Sequence, residues 1–160
     1  MGDRSYAFDA ALQLADGAVA QGVSGFAQNL GADGIIDLGG LQTVTPLQQA
    51  RIDAALVLNV TAIKTSGTDE SYEFWVLGSN TSTFPAGSVA VLGGMVIGSV
   101  AGKTTIGVLN SILSTAGMFE IIFSNEQNLT KYQYLKLYVV IAGTAPSITY
   151  NAFVAEIPMT

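Results

Sequence analysis

Tyr134-Leu135-Lys136-Leu137-Tyr138-Val139-Val140-Ile141 is the stretch that decides the fold class. Leu135, Leu137, Val139 and Ile141 alternate with Tyr134, Lys136 and Tyr138. Successive strand side chains point to opposite faces, so this is a strand with one apolar and one mixed face. Phe119, Ile121 and Phe123, with Glu120 and Ser124 between them, repeat the pattern upstream. A polar loop, Asn125 to Lys131, separates the two. Downstream, Gly143 to Pro146 turns the chain into a last strand, Ile148 to Ile157, which ends at Pro158.

The same period holds further out. Leu56, Leu58, Val60 and Ala62 share one face of a strand that begins by Ala54, with Asn59 and Thr61 on the other. Gly67-Thr68-Asp69-Glu70 reads as a turn. Tyr72 to Leu77 is aromatic-rich, which suits a pleated, half-buried surface. Pro85 and Gly87 mark a loop before Val89–Leu92 and Met95–Ile97. Ile35–Leu38 is a short strand. Thr45-Pro46-Leu47-Gln48 carries a cap, a first-turn proline and a capping-box glutamine, which predict a short helix. Residues 106–116 fit a helical stripe and a strand about equally. Ser5–Leu14 reads as extended or weakly helical.

About eight strands with hairpin-like spacing and one or two short helices predict an all-β fold. The expected form is a single domain over residues 1–160, an antiparallel two-sheet β-sandwich built as an eight-stranded jelly roll. Residues 1–30 read as an extended N-terminal segment.

Composition restricts function. Apolar residues make up 49% of the 160 and charged ones 11%, with a net charge of −6 and only 6 Lys+Arg. Soluble domains average about 25% charged residues. The apolar surplus predicts that subunits or partners cover part of the surface. Nucleic-acid binding is not expected, because no basic stripe is present to displace phosphate counterions. Binding to an anionic membrane is disfavoured likewise. Cys and His are both absent. That removes thiolate chemistry, the usual zinc ligands and the commonest general base. Met1–Tyr6 lacks a basic region followed by an apolar run, so no signal peptide is expected.

Several motifs tempt. Gly98-Ser99-Val100-Ala101-Gly102-Lys103-Thr104 resembles a phosphate loop but is one residue short. Phe74 to Gly102 carries no charge. Its uninterrupted apolar part, Val89 to Ala101, falls short of a bilayer span, so two buried strands are expected there. Asp69, Glu70 and Glu73 are the densest acidic cluster, and without calcium-loop spacing they read as a solvated hairpin tip. No serine sits in a nucleophile elbow. The chain is therefore expected to be no enzyme and to need no cofactor or metal.

Three pieces carry a family resemblance. Gly31-Ala32-Asp33 with Ile36-Asp37-Leu38-Gly39 is one. Phe74-Trp75-Val76-Leu77-Gly78-Ser79 with Val91-Leu92-Gly93 is the second. Tyr134 to Gly143, followed by Ile148-Thr149 and Ala152-Phe153-Val154-Ala155, is the third and strongest. Together they resemble the jelly-roll capsid cement, or decoration, proteins of tailed bacteriophages. Residues 40–53 and 93–117 are longer than that pattern. The resemblance implies a homotrimer on the outside of an icosahedral shell, clamping major capsid protein subunits. It would be made in the host cytoplasm and carried in the virion. The alternative is a carbohydrate- or receptor-binding sandwich of a tail fibre or adhesin, with Trp75 beside Glu73 as its sugar platform.

Arg4, Tyr6, Phe8 and Phe26 are the candidate capsid or subunit interface. They lie among small residues, and aromatics and Arg are favoured interface anchors.

Overall fold

The computed structural model describes residues 6–39, 51–65, 69–98 and 116–157. The chain starts with one turn of 3-10 helix, Ala10–Leu12, capped by the Asp9 carboxylate, which accepts from Ala11 N at 2.9 Å. Five short strands follow: β1 Gln13–Asp16, β2 Gly25–Phe26, β3 Gln28–Asn29, β4 Ala32–Asp33 and β5 Ile35–Asp37. Then come the long strands β6 Asp53–Ile63, β7 Ser71–Ser79, β8 Val89–Gly98 and β9 Gly117–Ser124. A small hairpin, β10 Glu126–Gln127 and β11 Thr130–Lys131, precedes β12 Tyr134–Ala142 and β13 Ile148–Glu156.

Two antiparallel sheets form a β-sandwich. Sheet A has the order β1-β13-β6-β9. Sheet B has β12-β7-β8, with both β2 and β5 pairing the free side of β12. Leu56, Leu58, Ala152 and Val154 of sheet A face Phe74, Val76, Leu135 and Leu137 of sheet B, and all belong to one buried cluster. Burying each Leu or Phe contributes about 1.5–3 kcal/mol, which is why the alternating apolar positions select this pairing of faces. Ile121, Phe123 and Val139 are buried as expected, while Phe119 is only partly so.

The lateral edges are closed differently. On one side the β3–β4 hairpin leaves the line of β2 and β5 and reaches across to β1. Asn29 Nδ2 donates to Gln13 O at 3.1 Å, and Leu30 N donates to the Asp16 carboxylate at 2.8 Å. On the other side β8 meets β9 at Gly93, where a Cβ would stand 3.0 Å from Ile121 Cγ2 and 3.2 Å from Phe123 Cβ.

The structure corrects several expectations. Ala62 is exposed, because Val60 pairs Tyr150 and Ala62 pairs Thr149, leaving Thr61 as an extra residue that reverses the alternation. Ala55 and Val57, on the outward face of β6, are fully buried, so this strand is covered on both faces. The polar loop after Ser124 contains the β10–β11 hairpin. It is tied down by Asn125, which is itself buried. Asn125 Oδ1 accepts from Ile52 N at 2.8 Å and its Nδ2 donates to Tyr132 O at 3.1 Å. The described part of the uncharged stretch, 74–98, holds β7 and β8 joined by the 80–88 loop, and no helix of the described residues is long and apolar enough to cross a membrane. The expected helix at 45–48, all but the last residue of the ambiguous 106–116 segment and most of the 98–104 loop lie outside the described residues.

Candidate functional site

The four interface candidates do not come together. Arg4 lies outside the described residues. Tyr6 is half-buried, and Phe8 is 58% exposed. Phe8 packs edge-on against Phe153, with ring centres 5.2 Å apart. Ala152 and Val154 point into the core, so Phe153 points out from sheet A, and Phe8 covers that outer face. Phe26 is elsewhere. It pairs across β2–β12 with Tyr138, whose neighbours Leu137 and Val139 are core residues. Phe26 therefore lies on the outer face of sheet B. The chain changes sheets between Asp16 and Gly25, which puts the sandwich thickness between the two aromatics.

Phe26 belongs to a built cluster. One register row crosses sheet B as Phe26, Tyr138, Trp75 and Gly94. Phe26 and Tyr138 meet edge-to-face at 5.2 Å. Phe84 comes down from the 80–88 loop at φ 50°, is 7% exposed, and meets the Phe26 ring at 6.2 Å. Lys136 is enclosed between them. Its Nζ lies 4.4 Å from the Phe26 ring centre, 5.3 Å from that of Phe84 and 3.1 Å from Asp33 Oδ2. Trp75 ends the row by lying against β8, where a Cβ on Gly94 would run into its ring. Glycine is needed at 94 for this close approach.

The Lys136 site yields a measurable effect. Lys136→Met keeps an apolar stem but removes the charge from the rings and from Asp33. Asp33 is 43% exposed and keeps Gln28 Nε2 at 2.8 Å, so it is not stranded. The expected loss is about 1–2 kcal/mol. Lys136→Ala also removes the packed stem and should lose roughly 1–2 kcal/mol more. Thermal denaturation of both variants checks this: equal losses would show that only the charge matters, and a loss confined to Lys136→Ala that only the stem does.

A cleft of about 360 Å³ opens where the chain changes sheets. Ala15, Asp16, Val19, Val23, Gly31 and Tyr150 are among the residues lining it. Tyr150 forms its inner wall and donates its hydroxyl to Gln21 Oε1 at 2.7 Å. Burial pushes the phenol well above its ordinary value, so it remains a donor. Gln21 in turn donates to Val23 O and Gly25 O, which shapes the loop. Asp16 accepts from Ala18 N at 2.9 Å and from Leu30 N at 2.8 Å, and these two backbone donors, Ala18 first, hold its carboxyl below the ordinary 3.8. Val19 is 80% exposed, Val23 75% and Leu30, next to Gly31, 89%.

The Asp16 bonds predict a pH dependence. A carboxyl depressed on folding contributes stability above its unfolded value, and loses it as pH falls through the lower folded one. Asp16→Asn is therefore expected to be less stable than the parent chain at neutral pH, with the gap shrinking well below pH 3.8. Urea titrations across that range measure it. A gap that does not change with pH would show that the charge plays no part.

The acidic cluster at 69–73 is not one site. The Asp69 carboxylate accepts from Thr144 N and Oγ1, Glu70 is 1% exposed, and Glu73 is half-buried on the outer face. This corrects the reading of a solvated tip for Glu70 and Glu73, while Asp69 is exposed as expected. Among the described residues no three acidic side chains stand together as a metal site would require. The arrangement offers apolar and aromatic contact surface on a hydrogen-bonded frame. Sequence reading missed Lys136, Phe84 and the cleft. A lone Leu at 30 and at 129, each in a polar turn, was the available signal. Comparison of the chain with known protein families, with characterised proteins and with solved structures found no match.

Proposed function

We propose that this chain is a structural virion protein. It binds the outside of an icosahedral phage capsid and stabilises contacts between major capsid subunits, as a homotrimer. The observation that carries the binding role is the set of large apolar side chains held out to solvent on ordered strands and tight turns. Phe8, Val19, Val23, Leu30, Met118, Ile122 and Leu129 are each more than half exposed. In a chain with 11% charged residues, such surface suits protein contact. The capsid as partner comes from the family resemblance of the sequence.

The strand succession supports the same reading. The first and last long-range partners, β1 and β13, sit side by side in one sheet with β6 and β9. The intervening β2/β5, β12, β7 and β8 make the other. We read this alternation as two successive Greek keys, a jelly roll. The glycan-binding alternative has less support, because Trp75 lies against the β8 backbone at Gly94 instead of standing free as a platform.

Quantitative mass spectrometry and immunogold microscopy of virions from the source culture test the proposal. The expected result is the chain on the outer shell, in copy number set by the icosahedral lattice. Its absence from purified virions would overturn the reading. Deleting residues 1–8 removes Phe8, and is expected to leave the sandwich folded while lowering shell occupancy. Unchanged occupancy would place the anchor elsewhere.

A further inference from the structure

Leu129 is 93% exposed, more than any other large apolar side chain among the described residues. It stands at the tip of the β10–β11 hairpin, where Asn128 has φ 51° and Leu129 φ 63°. A two-residue turn with both φ values positive favours Asn and Gly. Asn128 fits that preference. Leu129 does not, and the left-handed backbone strains it. The tip is nonetheless held firmly. Asn80 Nδ2 donates to Lys131 O at 3.0 Å, Asn80 Oδ1 accepts from Gln133 N at 2.9 Å, and Asn125 fastens the hairpin base. An apolar side chain kept in a strained conformation on a rigid support, with almost all of its surface in solvent, suits insertion into an external pocket.

The chain carries a pocket of suitable kind at its other end. The hairpin directly precedes Tyr134, the first residue of β12. The cleft wall at Gln21 bridges Ile148, just past the turn that follows Ala142, the last residue of β12. The nine residues of β12 span about 27 Å, with the hairpin at one end and Gln21 at the other, so Leu129 of one chain does not reach its own Gln21 wall. Two exposed apolar side chains of the lining, Val19 and Val23, would be covered by an inserted one. The contact is apolar: Lys131, two residues after the tip, is paired across the hairpin with Glu126, and Asp16 in the cleft lining is already held by Ala18 N and Leu30 N, so neither side brings an uncompensated charge.

We propose that Leu129 of one copy seats in the cleft between residues 15–23 and 28–31 of a second copy, building the oligomer head to tail. Knob and cleft are different surfaces, so the contact is heterologous, and such contacts close into rings when the rotation allows. The inference rests on the reading of the chain as a self-associating binder, and its test involves no capsid.

Light scattering and sedimentation on the full chain decide it. Wild type is expected to assemble at micromolar concentration. Leu129→Asn, which suits the turn, should be at least as heat-stable as wild type yet monomeric. Val23→Asp should also be monomeric, from the cleft side. Mixed in equal amounts, the two variants should form a two-chain species and nothing larger, since one intact knob meets one intact cleft. A monomeric wild type, a Leu129→Asn variant of unchanged mass, or a mixture that stays monomeric would each overturn the proposal. Leu129→Gly is a second knob variant free of any side chain, and should behave as Leu129→Asn does. Presence on virions is read separately, so a monomeric wild type would sink this contact without deciding shell binding.

Discussion

Gly34→Ala is expected to destabilise the protein by roughly 3 kcal/mol or more, at or beyond the usual upper end for overpacking. Gly34 is where the β3–β4 hairpin returns to the sheet, and its N–H donates to Ala27 O at 2.8 Å. Its α-carbon passes directly over the backbone of β1. A Cβ there would collide with the Leu14 carbonyl oxygen and stand 2.7 Å from its carbon. Both partners are main chain, so no rotamer change relieves the clash. Either β1 or the hairpin must move, and movement strains the bonds from Asn29 to Gln13 and from Leu30 to Asp16. Leu14 is fully buried, so β1 cannot shift without opening the core. Domains have only about 5–15 kcal/mol in total. Urea denaturation should show a midpoint lowered by roughly 1–2 M with little change in slope. A loss under about 1 kcal/mol would show that the crossing is looser than it looks.

Phe74→Ala is expected to cost about 3–5 kcal/mol, the range for emptying a large aromatic site in a packed core. Phe74 is on β7, the strand between β12 and β8 in sheet B, and is fully buried. Its ring meets Tyr150 of sheet A edge-to-face, with centres 5.2 Å apart and planes at 86°. The pair joins the two sheets, and Tyr150 also forms the wall of the cleft. A double-mutant cycle between the two positions should give a coupling of roughly 0.5–1.5 kcal/mol. Equilibrium unfolding of the two single variants and the double one measures it. Strict additivity would mean that the rings fill space without interacting. Gln21 takes its position from the Tyr150 hydroxyl, so variants at 150 should also loosen the 17–23 loop.

Much of the fold was legible because strand alternation is a local property. Leu135, Leu137 and Val139 point inward whatever lies around them, since neighbouring Cβ atoms of a strand must diverge. Counting such segments, with turn residues between them, led to a β-sandwich. The same logic erred at Ala62, because one extra residue in β6 inverts the register and nothing in Asn59-Val60-Thr61-Ala62 announces it. Alternation was also silent on Val57, which lies on the outward face of β6 and is nevertheless fully buried. The candidate interface was less legible. Phe8 and Phe26 looked alike in sequence, two aromatics among small residues, yet one rests on sheet A and the other on sheet B.

What the sequence by itself determined is the strand content, the inward positions and the poverty of charge, along with the lack of His and Cys. Each follows from residue type or from a period of two. Only the tertiary structure decided which outward side chains are covered. Lys136 sits at an outward position and is nevertheless 8% exposed, because Phe84 returns over it from a loop more than fifty residues earlier. Leu129 sits in a polar loop and is 93% exposed, at the tip of a hairpin whose base Asn80 and Asn125 tie to the strand ends. The cleft exists because residues 15–23, the β3–β4 hairpin and Tyr150 converge from distant parts of the chain. Such convergence is set by long-range pairing between strands, and no short window of sequence contains it.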